Sequence, residues 1–190
     1  MFEGEFFNGR RWNGKGKEFI IINKIIFEGE YLNGKKNGKG KEYIIDNKFM
    51  SEEKYLDKNE KEYDYNFNSQ LIFEGEYLND VRNGKGREYY YCTIFLFEGE
   101  FLNGKKNGKG KEYYYNGIIG FEGKYLNGEK NGKGKEYSIN GELIFEGEYL
   151  NGRRNGKGKE YYENDKLGFE GEYLNGERNG KGKEYMMIIN

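Results

Sequence analysis

The sequence predicts an all-β chain, an elongated single-layer antiparallel β-meander built as a β-hairpin repeat array with about two strands per repeat. Three observations predict it. Phe73, Phe97, Phe121, Phe145 and Phe169 recur every 24 residues, each opening the block F-E-G-[EK]-[YF]-L-N-[GD]. Inside each block aromatic and glycine positions alternate with charged ones, the period of two that marks a strand with unlike faces. Fifteen Asn-Gly pairs punctuate the chain, and Asn-Gly supplies the positive φ angles of tight hairpin turns.

Working outward from the five phenylalanines gives one array over residues 2–190, in units 2–26, 27–50, 51–72, 73–96, 97–120, 121–144, 145–168 and 169–190. In the unit 97–120, Phe97, Gly99 and Phe101 alternate with Glu98, Glu100 and Leu102, which makes an outgoing strand with an aromatic-glycine face and a charged face. Asn103-Gly104 and Asn107-Gly108 then bracket a turn, Lys109 to Tyr115 returns, and Asn116-Gly117 closes a tighter hairpin onto the next unit. If Leu102 pairs with Lys109, Phe101 faces Gly110, and a ring gains a flat backbone seat that any side chain would disturb. Stacked units would then bury Phe97, Phe101 and Tyr113 against their copies, at about 1.5 to 3 kcal/mol per fully buried aromatic. Sixteen strands at ~4.8 Å each make a ribbon about 75 Å long.

Three departures individualise the array. The first unit carries one extra residue near Trp12, the only Trp in the chain, which lengthens its hairpin turn. The unit 51–72 has lost its turn glycines and carries the acidic stretch Glu52 to Asp64, so a kink or bulge near residues 51–70 should separate two units from five. The apolar run Met186, Met187, Ile188 and Ile189 would make a final edge strand open to self-association.

The unit closely resembles the MORN repeat: an aromatic, Gly two residues on, a second aromatic, then Asn-Gly, Gly-x-Gly and a closing aromatic, as in Phe97, Gly99, Phe101, Asn103-Gly104, Gly108-Lys109-Gly110 and Tyr113. The resemblance covers essentially the whole chain. It implies an elongated antiparallel sheet that serves in protein interaction, dimerisation or targeting, with disputed affinity for acidic phospholipids. Lipid kinase and SET methyltransferase domains often accompany such arrays, and neither is visible in this sequence.

Composition narrows the chemistry. The absence of His removes the commonest general base and metal ligand, and with it Ser-His-Asp and Cys-His catalysis. A single thiol, Cys92, allows no internal disulfide. Charges nearly cancel at net −1, unlike the basic field of a nucleic-acid binder. The longest apolar stretch, Tyr89 to Phe97, falls short of the roughly 20 residues of a spanning helix. With the unpaired thiol this points to the cytoplasm, with membrane or cytoskeletal association as further expectations. Gly9 to Lys15 fits G-x-x-x-x-G-K, but Gly16 follows instead of Ser or Thr and a strand follows instead of a helix, so a phosphate loop is not expected. The Glu at the second position of each block repeats equivalently, whereas glycosidase chemistry wants one special pair.

No catalytic residue, cofactor or metal is therefore expected, and the chain reads as a non-enzymatic scaffold. Its partner, another protein, would lie along Phe6, Tyr31, Tyr77, Phe101, Tyr125, Tyr149 and Tyr173, on the expectation that a sheet without a covering layer leaves rings exposed. The alternative is a peripheral membrane protein meeting anionic headgroups through Arg10, Arg11, Lys35, Lys36, Lys105, Lys106, Arg153 and Arg154, if the hairpin loops line one edge.

Overall fold

The computed structural model describes residues 1–20, 24–45, 69–90 and 94–186. They form one fourteen-stranded antiparallel sheet in which every strand pairs with its neighbours in sequence. The first four strands are β1 (Phe2–Phe7), β2 (Arg10–Ile20), β3 (Ile25–Leu32) and β4 (Lys35–Ile45). Then come β5 (Ser69–Leu78), β6 (Val81–Tyr90), β7 (Ile94–Leu102), β8 (Lys105–Tyr113), β9 (Ile119–Leu126) and β10 (Glu129–Tyr137). β11 (Leu143–Leu150), β12 (Arg153–Tyr162), β13 (Lys166–Leu174) and β14 (Glu177–Glu184) complete the sheet. At ~4.8 Å per strand the ribbon is about 62 Å across its strands.

Two-residue turns set the register. Asn103 and Gly104 both take positive φ, 51° and 80°, the type I′ geometry whose twist suits antiparallel strands. Leu102 therefore pairs with Lys105, Phe101 with Lys106 and Gly99 with Gly110, not Leu102 with Lys109 as the bracketed turn predicts. Asn107-Gly108 is no part of the turn. Asn107, Gly108 and Lys109 bulge within β8 opposite the single Glu100, and Gly108 carries the bulge at φ 94°. The link to the next hairpin is also looser than predicted, because only Gly117 of Asn116-Gly117 has positive φ and the Gly117 amide bonds the Tyr114 carbonyl at 2.9 Å. In the first unit the turn is the ordinary Asn8-Gly9 pair, and the extra residue is absorbed within β2, where Phe6 pairs with Arg11 and Gly4 with Gly14.

The core is a line of rings on one face. Phe27, Phe73, Phe97 and Phe145 are 0 % exposed although the described residues form no second layer over them. Each lies flat over the paired glycines of its own hairpin: a Cβ on Gly99 would stand 2.6 Å from the tip of the Phe97 ring, and one on Gly110 would run into the same ring. The seat predicted for Phe101 thus belongs to Phe97, while Phe101 reaches over Gly86 of the preceding hairpin, 3.2 Å from where a Cβ would be. Edge-to-face contacts join the rings into a zigzag, with Phe97 meeting Phe101 at 5.4 Å and Tyr125 at 5.2 Å between centroids, the geometry ring quadrupoles favour. Tyr113 is no core member; it stands on the opposite face, where its hydroxyl meets Glu98.

The line does not break at the degenerate unit. β4 pairs directly with β5 from Gly38↔Tyr77 to Ile45↔Ser69, Phe27 meets Tyr77 at 5.1 Å, and the Asp80 amide bonds the Lys36 carbonyl at 3.0 Å. The described strands make seven hairpins, and two units are not separated from five. At the far end β14 stops at Glu184 and Met186 is exposed outside it; Met187, Ile188 and Ile189 lie outside the described residues, as does Cys92. Because Ile45 and Ser69 are already neighbours, replacing residues 46–68 by an Asn-Gly turn should keep a single cooperative thermal transition with the melting temperature within a few degrees. A collapse of the cooperative transition would show that this segment holds the halves together.

Candidate functional site

The ring-bearing face is closed. A cation from the second position of each returning strand lies over the phenylalanine: Arg82 over Phe73 at 4.0 Å, Lys106 over Phe97 at 4.2 Å, Lys130 over Phe121 at 4.0 Å and Arg154 over Phe145 at 4.1 Å. Each such contact adds about 0.5 to 2 kcal/mol, the more as it is desolvated. Glutamates fix the cations in place, Arg82 reaching Glu42 at 2.6 Å and Glu88 at 2.9 Å, and Lys106 reaching Glu88 at 3.3 Å.

This closure corrects the expectation of an exposed aromatic surface. Tyr31, Tyr77, Phe101, Tyr125, Tyr149 and Tyr173 are buried core rings, and of the residues expected to meet a partner only Phe6 is exposed, at 62 %. It also divides the basic set. Arg11, Lys36, Lys106 and Arg154 are half-buried over the rings, while Arg10, Lys35, Lys105 and Arg153 stand exposed beside the turns. That exposed column is broken by Val81, Glu129 and Glu177. Sequence held the signal that separates the two sets: the second position is basic in all seven hairpins and the first is not.

The opposite face is an open trough running from Met1 and Glu3 at one end to Glu172 and Lys181 at the other. Its floor is the backbone of the paired glycines, whose strand neighbours point their side chains to this face. Its walls are charged columns. Arg87 meets Glu98 at 3.1 Å, Lys111 meets Glu122 at 3.7 Å, Lys135 meets Glu146 at 3.6 Å and Lys159 meets Glu170 at 3.5 Å, each across from one hairpin to the next. Tyrosines support the glutamates from within the hairpin: Tyr89 donates to Glu74 at 2.5 Å, Tyr137 to Glu122 at 2.7 Å and Tyr161 to Glu146 at 2.7 Å. By strand alternation Leu32, Leu78, Leu102, Leu126, Leu150 and Leu174 face this side next to the turns, all 47–50 % exposed. They make an apolar rail along one margin, one leucine every two strands or about 9.6 Å.

Charge states follow from these contacts. The Lys39 amide, donating to Glu30 at 2.9 Å, holds that carboxyl below its ordinary value. Burial opposes ionisation of Glu160, but Arg178, Tyr173 and Arg154 together hold it low as well. Burial first, and then the hydrogen-bonded glutamate, pushes the Tyr89, Tyr137 and Tyr161 hydroxyls up to about 12. Among the described residues these ion pairs and tyrosine–glutamate contacts recur from hairpin to hairpin. Among the described residues no helix is long and apolar enough to cross a membrane.

An open ribbon of recurring hairpins with one sealed and one charged face is a repeat protein. The pattern that defines the MORN repeat matches residues 2–18, 27–47, 73–91, 97–119, 121–142, 145–166 and 169–186, and the chain belongs to the MORN repeat family. The seven matched segments are the seven hairpins. MORN repeats form a non-catalytic family, often found in protein or membrane interactions. No curated protein matches the chain.

Linkage gives the pH dependence. Glu30 and Glu160 bind a proton less readily folded than unfolded, so their stabilisation is complete above pH 4.5 and is lost as pH falls below it. The tyrosines bind theirs more readily folded, so their stabilisation is complete below pH 10 and is lost between pH 10 and about 12. Urea midpoints should therefore form a plateau through neutrality and fall on both sides. Midpoints that keep rising into acid would contradict these assignments.

Proposed function

We propose that this MORN array is a non-catalytic scaffold that binds an extended segment of another protein along its trough. The supporting observation is the conjunction, in the six hairpins from β3 to β14, of a flat backbone floor, opposed Glu and Lys columns and a half-exposed leucine rail. Apolar anchors with charged surroundings are what a protein segment needs for affinity and register. Spacing favours a partner extended as polyproline II: two strands rise about 9.6 Å and one three-residue turn about 9.3 Å, so every third partner residue meets the same position of the next hairpin. The buried rings support the fold and leave binding to this face. The exposed turn cations, interrupted as they are, favour headgroup binding less.

The test is photocrosslinking from within cells that express the protein, with p-benzoylphenylalanine replacing Lys111 in the trough or Lys105 beside a turn. The proposal expects a saturable protein adduct from position 111, absent from position 105 and reduced at least ten-fold by Leu102→Asp with Leu126→Asp. Adduct formation indifferent to the leucines, together with sedimentation on phosphatidylserine vesicles that falls with salt, would replace this function with the membrane one.

A further inference from the structure

One hairpin breaks the trough's charge pattern. In five others the glutamate facing the bulge folds into it: Glu30, Glu76, Glu100, Glu148 and Glu172 accept the amide hydrogens of Lys39, Lys85, Lys109, Lys157 and Lys181 at 2.9 to 3.4 Å. In each, the carboxylate oxygen takes the position that a Cβ on the bulge glycine would occupy, as Glu100 does at Gly108. The bulge is thus a small cradle of backbone built to hold a carboxylate.

In the hairpin of β9 and β10 the backbone is unchanged. Lys130 pairs with Tyr125 and Gly134 with Gly123, leaving Asn131, Gly132 and Lys133 opposite one residue, with Gly132 at φ 85°. That one residue is Lys124. No carboxylate oxygen reaches the Gly132 position, where the nearest atom is a Lys124 methylene at 3.6 Å, and the Lys133 amide has no side-chain acceptor at residue 124. The neighbouring strand brings Lys109 directly opposite Lys124. Lys111 and Lys135 are paired with Glu122 and Glu146, whereas the ammonium groups of Lys109, Lys124 and Lys133 have no ion pair among the described residues. Elsewhere the row runs Lys-Glu-Lys; here it is three cations beside a carboxylate cradle.

We infer that this cradle is an anchoring site for an acidic side chain, Glu or Asp, of the protein segment lying in the trough. The segment supplies the carboxylate that residue 124 supplies in the other repeats, accepting from the Lys133 amide and lying between the Lys109, Lys124 and Lys133 ammonium groups. Charge-assisted bonds of this kind are roughly twice as strong as neutral ones. Because the departure occurs in one hairpin only, it fixes the register of a partner that an otherwise repetitive trough would let slide. The inference rests on the trough being the binding face.

The test uses the full chain, fluorescein-labelled octaglutamate as probe and amide chemical shifts as the map. Octaglutamate should bind with the Lys133 amide most perturbed. Lys124→Glu, which gives this hairpin the residue the six others carry and so keeps the fold, should weaken it at least ten-fold, and Glu100→Lys should create a second responding amide at Lys109. Unchanged affinity in Lys124→Glu, or shifts centred on Lys105 and Arg153, would overturn the site. Inorganic phosphate that shifts Lys133 with the same affinity would overturn the assignment to a protein carboxylate. Trough crosslinking at position 111 that persists in Lys124→Glu, with no octaglutamate binding to the wild type, would overturn this inference alone; octaglutamate binding without trough crosslinking would overturn the function it rests on.

Discussion

Everything in this molecule depends on a phenylalanine ring lying flat on two paired glycines. A single sheet has no second layer to cover its apolar face, so its rings must be covered by the hairpins themselves. Glycine makes that possible because it lets the ring approach the backbone, while strand alternation leaves the other side of the same backbone open between the charged columns. With edges of neighbouring rings beside them and a cation above, Phe27, Phe73, Phe97, Phe121 and Phe145 are fully buried in a sheet one strand thick. The cost is that the glycine pairs can never carry side chains.

That constraint divides the two faces. On the ring side, cations and glutamates are consumed in packing, which is why the tyrosines and half of the turn cations are unavailable to a partner. On the other side, the glycine floor becomes a smooth trough whose walls are free to vary without disturbing the core. Lys124 shows this freedom, since a lysine replaces glutamate there with the strand pairing unchanged. Individuality is therefore expected on the trough walls and uniformity beneath them.

The repeat, the all-β class and the two-faced strands were legible in the sequence because they rest on periodicity and turn chemistry, which are local. Register was not. Two Asn-Gly pairs stand four residues apart, and sequence does not tell a turn from a bulge; only the pairing of Gly99 with Gly110 shows that the first turns the chain and the second is a bulge. The continuity between Ile45 and Ser69 was equally hidden, because it depends on a strand pairing across a unit that has lost its turn glycines. The burial of the tyrosines is hidden for a physical reason. A single-layer sheet predicts exposed rings from its missing layer, whereas the cation that caps each ring stands at the second position of every returning strand, next to an exposed neighbour of the same charge in Arg10, Lys35, Lys105 and Arg153.

The most direct test of the ring-on-glycine account is a double-mutant cycle between Phe121 and Gly134. A Cβ on Gly134 would stand 2.5 Å from the Phe121 ring and 3.2 Å from Tyr149, so Gly134→Ala should cost about 1 to 3 kcal/mol in the presence of the ring. In a Phe121→Val background most of that cost should vanish, giving a coupling of about 1 kcal/mol or more. Effects that add to within about 0.5 kcal/mol would mean that glycine is needed there for its backbone alone, and that the rings are not what the paired glycines exist to seat.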